Sequence, residues 1–250
     1  MLIRDVIIYL SIKYQGDWDK IYNAIKKKES CETQEIERVV SSLGCKAITI
    51  LDDNYPSSLK NIYKPPFTLF YLGDISLLES NIISIVGSRA PSTYASKSTK
   101  KIISDLKEKN VVICSGLARG IDRIVHEESL NNNLKTIAIL PTGILYCYPK
   151  ENLSIYEEII KKGLIISEYP SYSRVKKEKF GMRNRIIAGL GDKLLVMSAK
   201  EKSGTMISVK FALEFGKDIY CLPYHIDEGS ICNKLIKEGA YLLSDGKDIF

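Results

Sequence analysis

Six short apolar runs recur along the last two thirds of the chain: IISIV (82–86), VVIC (111–114), TIAIL (136–140), LIIS (164–167), KLLVMS (193–198) and DIYCL (218–222). They lack polar alternation, and stretches of helical character separate them. A strand that is apolar on both sides must be covered on both faces, as in a parallel sheet with helices above and below it. Residues 81–250 therefore read as a doubly wound, mostly parallel α/β domain of ordinary size.

The front of the chain obeys a helical rule. Ile3, Val6, Ile7 and Leu10 recur at helical spacing, and Asp17 or Asp19 can cap a second helix through Ile21 and Ile25. Thr33 followed by Ile36, Val39, Val40 and Leu43 predicts a third helix, closed by Gly44. Residues 1–45 thus form a small N-terminal helical unit, too short for a core of its own and expected to pack on the adjoining segment of chain. Residues 46–80 read as a connector: Pro56, Pro65 and Pro66 break any continuous helix, and 67–72 supplies a strand.

Composition closes off several classes. With 45% hydrophobic and 26% charged residues the chain is globular, and no apolar run reaches the roughly 18 residues a membrane span requires. The opening MLIRDVIIYLSIKY is interrupted by Arg4, Asp5, Ser11 and Lys13, and no small-residue cleavage site comes after it, so the expectation is a cytoplasmic protein with no membrane association. Six cysteines include no CxxC or CxH spacing, and there are only two histidines, so no metal site is expected and the cysteines read as buried thiols.

The net charge of +6 is unevenly placed. Residues 1–80 carry 10 basic and 11 acidic side chains, whereas residues 81–250 carry 26 and 19. Within the second part, RVKKEKFGMRNR (174–185) sets six basic residues against Glu178 alone and includes Phe180 and Met182. A charge run is ordinarily a solvated face; one that mixes Arg and Lys with an aromatic suits a polyanion with exposed bases.

In a doubly wound sheet ligands bind beyond the carboxyl ends of the strands. Those positions read Gly87-Ser88-Arg89, Ser115-Gly116 running on to Gly120, Pro141-Thr142-Gly143, Ser167-Glu168 and Ser203-Gly204-Thr205. Glycine lets the backbone approach a ligand, hydroxyls donate, and a following helix offers unpaired N–H groups, so these turns together predict a phosphate-binding rim. There is no GxGxxG after the first strand and no GxxxxGK[ST] anywhere. Asp122 and His126 share a helix face and read not as an acid–base pair but as an orienting hydrogen bond at a helix start that fixes the turn before it, while Glu168 suits either a base or a backbone or arginine partner. No nucleophile stands with its base, so no catalysis is expected.

The stretches IVGSR (85–89), SGLARGID (115–122) with His126, TGILYCYPKEN (142–152), ISEYP (166–170), FGMRNRIIAGL (180–190), SGTMIS (203–208) and LPYHIDEGSICNKLIKEGA (222–240) resemble the DNA-processing protein A family, also called DprA or Smf. The resemblance runs from about Tyr55 to Ala240. It implies an extended Rossmann-like domain that binds single-stranded DNA without sequence preference, protects incoming or recombining strands and helps place RecA recombinase on them in natural transformation or recombination. It implies a homodimer and no cofactor. On this resemblance Gly87, Ser88 and Arg89 match a phosphate-gripping turn, and Lys150 stands after the YP pair. Lys177 and Phe180 match the basic and aromatic positions before the RNR motif, Arg183, Asn184 and Arg185. Arg183 and Arg185 cannot both face the same way, so one is expected to pair with Glu168 or Asp122 and the other to meet phosphate.

Three positions depart from the family pattern. Ala95 and Tyr224 replace glycines, with loop geometry beside the rim in question, and Lys217 stands where arginine is common. The chain reads as a minimal version of the family, ending without a C-terminal winged-helix-like module. The alternative is a small-nucleotide sensor or a phosphoribohydrolase-like enzyme of the wider Rossmann-like group. Those enzymes use a GTxxE turn, and here Gly204-Thr205 runs on into Met206, Ile207 and Ser208 without the acid.

Overall fold

The apolar runs form strands of one nine-stranded sheet. The computed structural model describes residues 2–171, 173–228 and 230–250. In chain order these fold as α1 (Ile3–Lys13), α2 (Trp18–Lys26), α3 (Thr33–Ser41), β1 (Lys46–Thr49), α4 (Ser57–Lys60), β2 (Thr68–Gly73), β3 (Ile82–Val86), α5 (Thr93–Asp105), β4 (Val112–Ser115), α6 (Ile121–Asn131), β5 (Lys135–Gly143), α7 (Leu153–Lys162), β6 (Leu164–Tyr169), α8 (Lys177–Leu190), β7 (Lys193–Val196), α9 (Gly204–Glu214), β8 (Asp218–Cys221), α10 (Cys232–Lys237) and β9 (Tyr241–Leu242).

The strand order is β1-β2-β6-β5-β4-β3-β7-β8-β9. From β6 to β9 every neighbouring pair is parallel, while β1 and β2 add antiparallel at the β6 edge. The chain lays β4, β5 and β6 on one side of β3, then returns to place β7 on the other. The carboxyl ends of β3 and β7 therefore flank the point where the winding reverses, which is where open α/β sheets hold ligands.

Alternate residues of each strand feed separate cores. Ile82 and Val86 of β3 pack with α8, α9 and α10 through Ile187, Val209 and Leu235. Ile83 and Ile85 face α5 and α6 through Ile102, Ile103 and Val125. The fold is thus an extended Rossmann-like, doubly wound α/β sheet with a small helical unit, α1 to α3, at its front. In that unit Tyr9, Leu10, Ile21, Ala24 and Ile36 close a cluster, while Ile8 on the same turn of α1 packs with Phe70 and Ile159 of the sheet layer.

Asp17 caps α2, accepting from the Lys20 N–H at 3.2 Å. The third helix ends earlier than its apolar spacing predicts: Ser42 is the C-cap, with φ −85°, so Gly44 does not close it. Among the described residues no helix is long and apolar enough to cross a membrane.

Candidate nucleic-acid interface

A cleft of about 1310 Å³ opens at the reversal point. Its walls are the turn after β3 (Gly87, Ser88, Arg89), the segment from Lys200 into α9, and one face of α8. On α8 the lining residues Lys177, Phe180, Gly181, Arg183, Asn184 and Ile187 recur at helical spacing, so a single stripe of the helix forms the wall. The 174–185 run is mostly the start of this helix rather than an extended segment.

Hydrogen bonds across the sheet fix the cleft. The Ser88 N–H donates to Ser198 Oγ at 3.0 Å, tying the turn after β3 to the end of β7. The Ile121 N–H donates to the Ser88 carbonyl at 3.0 Å, so the start of α6 holds the same turn. That approach requires Gly120, whose φ is +73° and where a Cβ would strike the Ser88 and Arg89 backbone. Asn184 Nδ2 donates to the Gly204 carbonyl at 3.0 Å and joins α8 to the start of α9. At the mouth the Arg89 guanidinium lies 5.0 Å from the Phe180 ring centroid, and Tyr148 meets the same ring edge-on at 6.0 Å. A cation, a half-buried aromatic face and a hydroxylated helix start thus converge on one opening.

Half of the basic run is structural. Arg185 is fully buried: it donates to Glu168 Oε1 at 2.6 Å, to the Lys64 carbonyl at 3.0 Å and to the Met182 carbonyl at 3.0 Å. Arg183 is 4% exposed and donates to the carbonyls of Gly116 at 2.5 Å and Ile139 at 2.6 Å. Residues two apart on a helix point to different sides, which explains why Arg185 meets Glu168 while Arg183 lines the cleft floor beside Asp122. Lys179 is buried too, with Nζ on Ser173 Oγ at 2.5 Å and over the Tyr169 ring at 4.3 Å; burial and then Lys176 push its ammonium below the ordinary lysine value. Arg174, Lys176 and Lys177 remain exposed.

The rim is also narrower than the sequence suggests. Pro141-Thr142-Gly143 and Ser167-Glu168 are not turns but the ends of β5 and β6, with Ser167 Oγ donating to the Thr142 carbonyl at 2.5 Å. Ser115 is buried and donates to the Ile85 carbonyl at 2.7 Å. Gly116 makes room for Arg183, whose guanidinium a Cβ would strike. Lys150 is exposed close to Tyr148 but does not line the cleft. Gly87, Ser88, Arg89, Lys177, Phe180, Arg183, Asn184, Ser203, Gly204 and Thr205 do line it, whereas Ser115, Gly116, Lys150 and Arg185 do not.

The acid–base candidates are held as structural groups. Asp122 Oδ2 accepts from the Ala118 N–H at 3.3 Å, and burial raises its carboxyl despite the Arg183 charge. Glu168 is likewise raised by burial and pulled back by Arg185, so it serves as an ion-pair partner inside the protein. Ala95 sits in the first turn of α5, its N–H capped by Ser92 Oγ at 3.2 Å, where alanine favours the helix. Tyr224 donates to the Met197 carbonyl at 2.6 Å and packs edge-on against Tyr94 at 5.3 Å, filling the loop it enters. Gly229 of the 222–240 stretch lies outside the described residues.

Sequence reasoning missed Tyr148, Tyr63, Lys200, Lys202 and Lys210, all of which line the cleft. Lys200 and Lys202 were available as a signal, since only two residues separate the end of β7 from AKEKSG (199–204), at the carboxyl end of a strand. Tyr63 was not, because only the tertiary fold brings its loop to α9.

The geometry has close counterparts. DNA processing protein DprA of Streptococcus pneumoniae is 42% identical over 205 residues, covering 81% of this chain and 72% of that protein. The X-ray structure of DNA processing protein A from S. pneumoniae superposes with a TM-score of 0.82 at 37% identity, over 92% of this chain and 79% of the other. DNA processing protein A from Helicobacter pylori, a structure described for its single-stranded DNA binding mode, matches with a TM-score of 0.76 at 30% identity, over 84% of this chain and 95% of the other. The model of the family described as DNA recombination-mediator protein A matches residues 46–250, from β1 through the whole cleft to the last residue. With sheet, reversal-point cleft and sequence in agreement over that span, the chain belongs to the DNA recombination-mediator protein A (DprA/Smf) family.

Proposed function

We propose that the cleft between the ends of β3 and β7 binds single-stranded DNA without sequence preference. The carrying observation is the joint presence at one opening of Arg89, Phe180 and Tyr148, with Lys177, Lys200 and Lys202 around it. Phosphates take the cations, and unstacked bases take the aromatic faces that every base can use equally. Only an unpaired strand offers those faces.

The same reading covers how the bound strand is used. By its family, the protein acts as a recombination mediator in the cytoplasm, protecting the strand and helping RecA load on it, as a homodimer and without catalysing a reaction itself. Residues 81–250 carry the strand, with 1–45 and 46–80 as the supporting helical unit and connector. The GTxxE acid of phosphoribohydrolases is replaced by Ser208, which disfavours the nucleotide-cleaving alternative.

Fluorescence anisotropy with labelled single-stranded and duplex oligonucleotides over a salt series tests the binding. The expected result is tighter binding of the single strand with a steep salt dependence. Equal weak binding of both forms, or cleavage of AMP, would overturn it. Light scattering of the free protein checks the dimer, and recombinase filament assembly on protein-coated strands checks the mediator role.

A further inference from the structure

The aromatic lining of the cleft does not stop at Phe180. Tyr63 also lines it, is 53% exposed, and stacks on Phe211 of α9 with centroids 6.4 Å apart and planes at 19°. Phe211 lies seven residues past Gly204, about 10 Å further along the helix axis from the start of α9.

The loop that presents Tyr63 is tied at three successive carbonyls. Lys64 O accepts from Arg185 Nε at 3.0 Å, Pro65 O from Trp18 Nε1 at 2.8 Å, and Pro66 O from the Tyr55 hydroxyl at 2.8 Å. Lys64 takes a left-handed φ of 49°, and its Nζ pairs with Asp19 at 2.5 Å. A ring held out on so constrained a backbone loses little freedom on stacking. Lys210, beside Phe211 on the exposed side of α9, supplies a cation for phosphate at the same place, with Glu214 3.7 Å from its Nζ.

We propose that Tyr63 is a second base-stacking platform, taking an unpaired nucleobase further along the strand than the one at Arg89 and Phe180. This rests on the strand-binding reading of the cleft, and it predicts a footprint that reaches the loop braced by α2.

The test uses oligothymidylates of about 4 and about 16 nucleotides, spanning the range of strand-tracking sites. Tyr63→Ala should weaken binding of the long oligonucleotide about tenfold, the effect of losing one stacked base, and change the short one less than about twofold. Tyr63→Phe keeps the ring and should restore wild-type affinity. Trp18 is the only tryptophan in the chain, so its emission reports on this loop and should respond to the long oligonucleotide but not the short one. Unchanged affinity of Tyr63→Ala for the long oligonucleotide, or an equal loss for both lengths, would overturn the platform while leaving the cleft reading in place. A wild-type protein that binds neither length would instead remove the cleft reading, and the platform with it.

Discussion

The Arg89 guanidinium rests 5.0 Å from the centre of the Phe180 ring, with Tyr148 against the ring's edge. The two residues are far apart in sequence and meet only because β3 and α8 share the reversal point of the sheet. Phe180→Ala removes both the ring and the surface on which Arg89 lies. The expected cost to single-strand binding is about 1 to 3 kcal/mol, with Phe180→Trp close to wild type, as titration of a labelled oligonucleotide will read. A melting temperature matching wild type separates lost stacking from lost fold.

Lys177 on α8 and Lys202 before α9 are exposed and both line the cleft. If each meets one phosphate, Lys177→Gln or Lys202→Gln lowers the slope of log affinity against log salt by about 0.7 for a single strand. Lys46→Gln, on the edge strand β1 and outside the cleft lining, should leave the slope unchanged. Binding isotherms at several salt concentrations check the difference.

Arg185 and Glu168 form an ion pair with side chains 0% and 6% exposed. Removing one partner strands a buried charge, so Glu168→Ala should cost about 3 to 5 kcal/mol in stability. Replacing both, as Glu168→Gln with Arg185→Met, should cost less than the two single changes added together. Urea unfolding of Glu168→Ala, of the double variant and of its two single changes measures both expectations. Arg185 also carries the Lys64 carbonyl, so its loss should loosen the loop that presents Tyr63.

His126 makes acid stability depend on one ring nitrogen. Thr136 donates its hydroxyl to the Ile113 carbonyl at 2.9 Å, so its oxygen must accept from His126 Nδ1 at 2.8 Å. Among the described residues Nε2 is buried without a hydrogen-bond partner. Protonation there has neither solvent nor acceptor, and burial lowers the imidazole from 6.5 to about 3. Because the unfolded chain takes up this proton first, the stability His126 contributes is complete above about pH 6.5 and falls as pH drops toward 3. Between about pH 7 and pH 5 the loss is roughly 2 kcal/mol. Asp122 and Glu168, raised by burial, work in the opposite sense. His126→Gln should therefore shrink the difference in unfolding free energy between those two pH values relative to wild type.

The sheet was legible because strands buried on both faces leave continuous apolar runs, and the six runs of residues 81–250 all became strands. β1 and β9 were not, since Lys46–Thr49 is a short edge strand and Tyr241–Leu242 only two residues long. At the site, Arg89 and Phe180 could be named in advance, but their contact could not. Charge along the chain is a poor guide to charge at the surface. The net +5 of residues 174–185 includes Arg183, Arg185 and Lys179, whose hydrogen bonds are spent inside the protein. Exposure is a property of the fold, and the exposed cations that line the cleft include Lys177 of this run together with Lys200 and Lys202 beyond β7.

The most direct test of the account is where a bound strand touches the protein in solution. Photocrosslinking an iodouracil-substituted single-stranded oligonucleotide and mapping the adducts by mass spectrometry reads this at the residue level. Adducts are predicted on Phe180 and Tyr148, and to be lost when unlabelled single strand competes. Adducts confined to the helices of residues 1–45 or to the β9 edge, with none in the cleft, would contradict the account.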